Sequence, residues 1–171
     1  MRTTLATCTA FREWDGASYS VDEAKERIYL DGLPVPESHA QDYTAAELQA
    51  LRPYAVIYKP LTNGLRSRKV AYGNPGIFQH SGTLEVILIR DVPTADREDF
   101  AKLDRDFENM VGMLIHSGDV AAPGLEELSN TAGYLPIQAI HEDGAYRCHP
   151  DDVPGQGDHQ VYRVTVEWGT P

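Results

Sequence analysis

Residue types that do chemistry crowd closest in the segment Arg147-Cys148-His149-Pro150-Asp151-Asp152, with His141 a few residues upstream. Cysteine, histidine and carboxylate are zinc ligands. A zinc site needs them converging at about 2.0–2.3 Å, usually from spacings such as C-x2-C or H-x3-H. Cys148 and His149 are adjacent, so on a strand they face opposite ways. The segment therefore reads as a strand end running into a solvated acidic loop. His39, His80, His116 and His159 are scattered without ligand spacing, and no local partner makes Cys8 a nucleophile. The stretches GNPG and GQG lack the strand-loop-helix setting of a phosphate loop and read as turns. The acidic run DRDFEN lacks the D-x-D-x-D-G pattern of a calcium loop and reads as a solvated helix face. The expectation is no catalytic residue, no metal and no cofactor.

Arg66, Arg68 and Lys69 raise a different possibility. They gather positive charge in a chain of net charge −11, between Asn63-Gly64 and Asn74-Pro75-Gly76. Asn-Gly is a strong hairpin signal. Residues 60–80 thus read as an arm or long ordered loop. Its tip is either simply solvated or a docking element for an acidic patch on another copy or a partner. Complementary charge of this kind sets register and association rate more than affinity.

The totals bound what the remaining chain can be. At 171 residues it fits a single domain, 1–171, able to bury about two-thirds of its unfolded surface. A pI near 4.8 gives no counterion-release drive toward a phosphate backbone, which disfavours nucleic-acid binding. Two distant cysteines, Cys8 and Cys148, make no disulfide framework, and a reducing compartment is expected. The N-terminus lacks the apolar run of a signal peptide. The longest aliphatic run, Val86 to Ile89, is far short of the roughly 20 residues a membrane helix needs.

Local patterns then supply the elements. The N-terminal segment 1–43 reads as helical: a first helix over 1–14 with Leu5, Cys8 and Phe11 or Arg12 near one face, then a second opening at Ser20. Thr44 and Glu47 form a capping box for a third. Residues 54–59 read as a strand. A strand over 82–90 points Leu84, Val86 and Leu88 one way and Ile87 and Ile89 the other. From an N-cap at Thr94, the spacing of Phe100, Leu103, Phe107, Met110, Val111 and Leu114 predicts a long amphipathic helix ending by Gly118. Strands at 134–140 and 145–149 are expected about an Asp143-Gly144 turn, and residues 160–168 alternate cleanly as a last strand. The expected fold is α+β: a mostly antiparallel sheet packed on one long amphipathic helix, with a projecting hairpin arm. Ile87 and Ile89, on the face away from that helix, need a cover: the arm, the N-terminal helices or a neighbouring subunit.

The order of LRPYAVIYK, an extended insertion, HSGTLEVILIRDVP, a long helix and a closing YRVTVEWG strand resembles the tail terminator proteins of long-tailed bacteriophages, over residues 44–169. That resemblance implies a virion structural protein, assembled in the host cytoplasm, that forms a hexameric ring. The ring would stop tail-tube growth and join tail to head. Its partners would be further copies of itself, the tail-tube protein and a head-completion or connector protein. DNA would pass through the lumen without sequence-specific binding, no membrane would be involved, and no residue would act catalytically. The runner-up is another head–tail connector or a tail-tube-like protein; the contrasting readings are a small metal-dependent enzyme using His141, Cys148 and His149, and a monomeric accessory domain with no ring.

Overall fold

The computed structural model describes residues 1–14, 17–34, 43–59, 66–71, 77–91, 100–129, 131–148 and 159–169. The helix expected over 1–14 is two helices, α1 (Arg2–Thr7) and α2 (Thr9–Glu13), broken at Cys8, whose backbone is extended (φ −61°, ψ 124°). Leu5, Cys8 and Phe11 still share the buried side. The helix α3 (Val21–Glu26) opens on a complete capping box. Glu23 N–H donates to Ser20 Oγ at 3.3 Å, and Ser20 N–H donates to the Glu23 carboxylate at 2.8 Å. The same reciprocal pair, Thr44 and Glu47, opens α4 (Ala45–Leu51).

Six strands form one mixed sheet: β1 (Ile28–Leu30), β2 (Tyr54–Tyr58), β3 (Arg66–Ala71), β4 (Ile77–Asp91), β5 (Ile137–Cys148) and β6 (His159–Gly169). Five follow the order β1-β2-β4-β6-β5, and β3 pairs with β4 off this path. β1 and β2 are parallel; the other pairs are antiparallel. Two helices complete the layer above the sheet, α5 (Phe100–Ile115) and α6 (Leu125–Ser129).

Paired residues share a face, so the registers give the core directly. Ile28, Ala55, Leu88 and Tyr162 lie in one row across β1, β2, β4 and β6; Ile57, Val86 and Val164 lie in the next. All are buried, against Leu5, Cys8, Phe11, Trp14, Ala24, Val111, Leu114, Leu125 and Leu128. Burying each such large side chain is worth about 1.5–3 kcal/mol.

The expected helix is present as α5, but it does not cover the sheet alone: among the described residues α1, α2, α3 and α6 pack on the sheet beside it, and α5 contributes Val111 and Leu114 from its last turns. The side chains of Phe100, Leu103 and Phe107, and the expected N-cap Thr94, lie outside the described residues. The strand expected at 82–90 begins five residues earlier, at Ile77. The two strands expected about Asp143-Gly144 are one. β5 stays paired with β6 from Ile137 to Cys148 and absorbs those residues in a register shift between Glu142 and Ala145. There they make a bulge in place of a turn. Among the described residues no helix is long and apolar enough to cross a membrane.

Candidate functional site

β4 positions both candidate surfaces. Its second half pairs with β2 on one edge (Tyr54↔Ile89 to Tyr58↔Glu85) and with β6 on the other (Ser81↔Gly169 to Asp91↔His159). Its first residues, 77–81, pair with β3. Ser81 meets Arg66 on one side and Gly169 on the other, so β3 lies on the β2 edge, in line with β2. Residues 77–80 have β3 as their only strand partner among the described residues. The result is a two-stranded ribbon continuing past the five-strand body.

Arg66, Arg68 and Lys69 sit on this ribbon, with backbones opposite Ser81, Gln79 and Phe78. A register shift between Lys69 and Ala71 adds local twist to the strand. The side chains of the three basic residues lie outside the described part, as do residues 60–65 and 72–76. Because β3 is hydrogen-bonded edge-on, it extends the sheet and does not lie over Ile87 and Ile89.

Those two isoleucines are half-buried on the face away from the helices. By register Ile87 stands between Val56 and Arg163, and Ile89 between Tyr54 and Val161. Tyr54, Val56 and Val161 are buried within a single chain. Part of this face is therefore closed before any second copy arrives. Tyr29 packs edge-on against Tyr54 with ring centroids 5.9 Å apart. Burial raises the hydroxyl pKa of both tyrosines, so they stay neutral hydrogen-bonding groups at physiological pH. Toward β6 and β5 the face turns polar, with Arg163 Nε 2.7 Å from Glu85 Oε1 and His141 Nε2 3.3 Å from Glu167 Oε1.

Two features have no counterpart in the sequence reading. At the end of β4, Arg90 donates from Nε to Gln160 Oε1 and from Nη1 to the Trp14 carbonyl, both at 2.9 Å. Arg52 Nη1 donates to Asp91 Oδ1 at 2.7 Å, with the Arg52 side chain 2% exposed and its Nε without a partner among the described residues. These contacts tie α2 and β2 to one end of the sheet. The second feature is a groove of about 310 Å³ between α2 and α5, lined by Thr9, Ala10, Glu13, Asp106, Met110 and Met113 among others. The only sequence signal for it is the Met110/Met113 pair, three apart on one helix; Met113 is 58% exposed.

Among the described residues no group of three or more His, Cys, Asp or Glu could hold a metal. His141 faces Glu167, while the Cys148 side chain, His149, Asp151 and Asp152 lie outside the described residues, as does His39. Cys8 is a core residue donating to the Thr4 carbonyl at 3.4 Å. Burial, then the nearby Glu127 charge, pushes its thiol up to about 12. A thiol held protonated to that pH is a poor nucleophile. His116 sits 2.8 Å from Glu127 and 3.2 Å from Glu126 on the surface. His159 is buried at the start of β6, and His80 is half-buried on the ribbon.

The chain matches no protein-family model and no curated protein sequence.

Proposed function

We propose that this chain is a structural assembly protein that closes into a ring. In line with its resemblance to tail terminators of long-tailed bacteriophages, the ring caps a tail tube, ends its elongation and forms part of the head–tail junction of the virion. The observation that carries this reading is the ribbon of β3 and residues 77–80 of β4. It takes Arg66, Arg68 and Lys69 beyond the body of an otherwise acidic protein.

A ribbon standing clear of its own body is suited to reach another subunit. A contact between unlike surfaces, repeated around an axis, makes a ring. Residues 77–80, whose one strand partner among the described residues is β3, and the half-buried Ile87 and Ile89 offer further surface to neighbours. The net charge of −11 keeps such a ring from trapping DNA that passes through it. The partners are further copies, the tail-tube protein below and a head-completion or connector protein above.

Native mass spectrometry across a concentration series, followed by addition to purified tail tubes, tests the proposal. Closed oligomers, six copies of the 19.0 kDa chain in the expected case, and tubes that stop growing once capped support it. A monomer carrying a metal ion, or a chain that neither oligomerises nor arrests tube growth, overturns it.

A further inference from the structure

The groove between α2 and α5 is acidic at its rim and soft at its floor. Glu13 and Asp106 are exposed, and neither forms an ion pair among the described residues. Met110, Met113 and Ala10 supply an apolar lining. Methionine adapts its shape to what it contacts, which suits a side-chain-binding surface better than a rigid core. With Met113 more than half exposed, the groove is too open to enclose a small metabolite, since such sites bury most of their ligand. It suits side chains presented by another protein surface.

We infer that this groove receives the β3–β4 ribbon of a second copy of the chain, with Arg66, Arg68 and Lys69 against Glu13 and Asp106. The inference rests on the ring-forming reading and names its interface. Charge selects the occupant. The ribbon and its flanks concentrate three cations within four residues of an acidic protein, beside the apolar Leu65, Val70, Ile77 and Phe78. Groove and ribbon thus match in both charge and apolar content.

Geometry makes the contact intermolecular. Arg90 Nη1 holds the Trp14 carbonyl, which fixes the C-terminal end of α2, and with it the Glu13 end of the groove, beside the C-terminal end of β4. Gln79, the partner of Arg68, lies eleven residues earlier on the same strand. At about 3.3 Å per residue the two points are roughly 36 Å apart. A straight paired strand cannot fold its own start onto its own end, so the ribbon reaches the groove of the next subunit. Such a head-to-tail contact joins unlike patches and generates a ring when the rotation closes.

The test uses two reversed chains. One carries R66E, R68E and K69E; the other carries E13R and D106R. Each alone sets like charges against like, and its half-assembly concentration should rise at least about tenfold over the parent chain. Mixed one to one, they should recover oligomers with even numbers of alternating subunits, because each ribbon then meets a groove of opposite charge. Carbodiimide coupling of isotopically heavy and light parent chains should join Lys69 to Glu13 or Asp106 between chains. This second measurement does not depend on the variants folding. Oligomers that ignore the E13R/D106R change and show no such coupling overturn the groove interface while leaving the ring reading intact. A parent chain that stays monomeric, alone and with purified tail tubes, and does not arrest their growth overturns both.

Discussion

Glu127 holds together a loop that has no regular backbone pairing of its own. Its Oε1 accepts from Gly118 N–H at 2.9 Å, and its Oε2 accepts from Gly124 N–H at 2.9 Å and Ser117 N–H at 3.3 Å. His116 Nδ1 lies 2.8 Å from Oε1. Burial alone would raise this carboxyl, but amides of Gly118, Ser117, Glu127 itself and Gly124 outweigh it and bring the pKa from 4.5 down to about 2. A pKa depressed by folding means the carboxylate's contribution is fully present above about 4.5 and is lost as pH falls through about 2. Gly124 is committed to the same arrangement: a Cβ there would stand 2.9 Å from the carbonyl oxygens of Met113 and Leu114. The expected outcome for Glu127→Gln is a loss of about 1–3 kcal/mol at pH 7, the scale of hydrogen bonds to a charged group. Its stability should also fall less steeply between pH 4.5 and 2 than the parent's. Urea unfolding at several pH values reads both, and parallel acid limbs would show that another group controls that range. No local pattern announces this order in the sequence, because what organises the loop is one carboxylate collecting amides from residues up to ten positions away.

At the scale of elements, β4 is the part on which everything else is registered, and its C-terminal end shows how. Arg52 reaches Asp91 from the residue that ends α4, and Arg90 ties the end of α2 to β6. Asp91 keeps 42% of its side chain in solvent while Arg52 keeps almost none. Removing the carboxylate strands a buried cation, so Asp91→Ala should cost about 2–3 kcal/mol, below the 3–5 of a pair buried on both sides. Replacing both partners by leucine should cost less than Asp91→Ala alone, since no charge is then left unmatched. Denaturant midpoints give the comparison; a double variant as unstable as the single would assign Arg52 a packing role instead. Features set by near neighbours were legible in the sequence. The N-cap at Ser20 and the capping box at Thr44/Glu47 need only a few neighbouring residues each, and the alternation of Tyr162, Val164 and Val166 needs only a face to bury. Features set by distant partners were not. β1 exists because Ile28–Leu30 find β2 in parallel, and Asp143-Gly144 becomes a bulge because β6 runs on beside it. α6 is too short for a helical period to register. The same division runs through the candidate site. Composition marked residues 60–80 as an arm, although the turns expected at Asn63-Gly64 and Asn74-Pro75-Gly76 lie outside the described residues, while the groove is assembled from α2 and α5, some hundred residues apart in the chain.

For the whole molecule, salt acts on assembly in two opposed ways, and the ranges of the two effects decide the outcome. A net charge of −11 on a body of this size makes approaching copies repel over their full width. At about 0.01 M ionic strength the screening length is roughly 30 Å, and that repulsion reaches across much of a neighbouring subunit. At about 0.15 M it shrinks to roughly 8 Å. Body-to-body repulsion is then largely removed, while cations and carboxylates in direct contact still feel each other. Near 1 M the length is roughly 3 Å, comparable with an ion-pair distance, and the contacts themselves weaken. Assembly through Arg66, Arg68 and Lys69 should therefore be strongest at intermediate ionic strength and fall on either side. Sedimentation or light scattering at fixed protein concentration, stepped from 0.01 to 1 M sodium chloride, shows the profile. The reversed chains provide the internal control. Each alone should gain association steadily with salt, because its ribbon and groove repel, whereas their mixture should recover the peaked profile. A steady rise for the parent chain would assign the interface to apolar contacts around Ile87 and Ile89 and take the basic ribbon out of it.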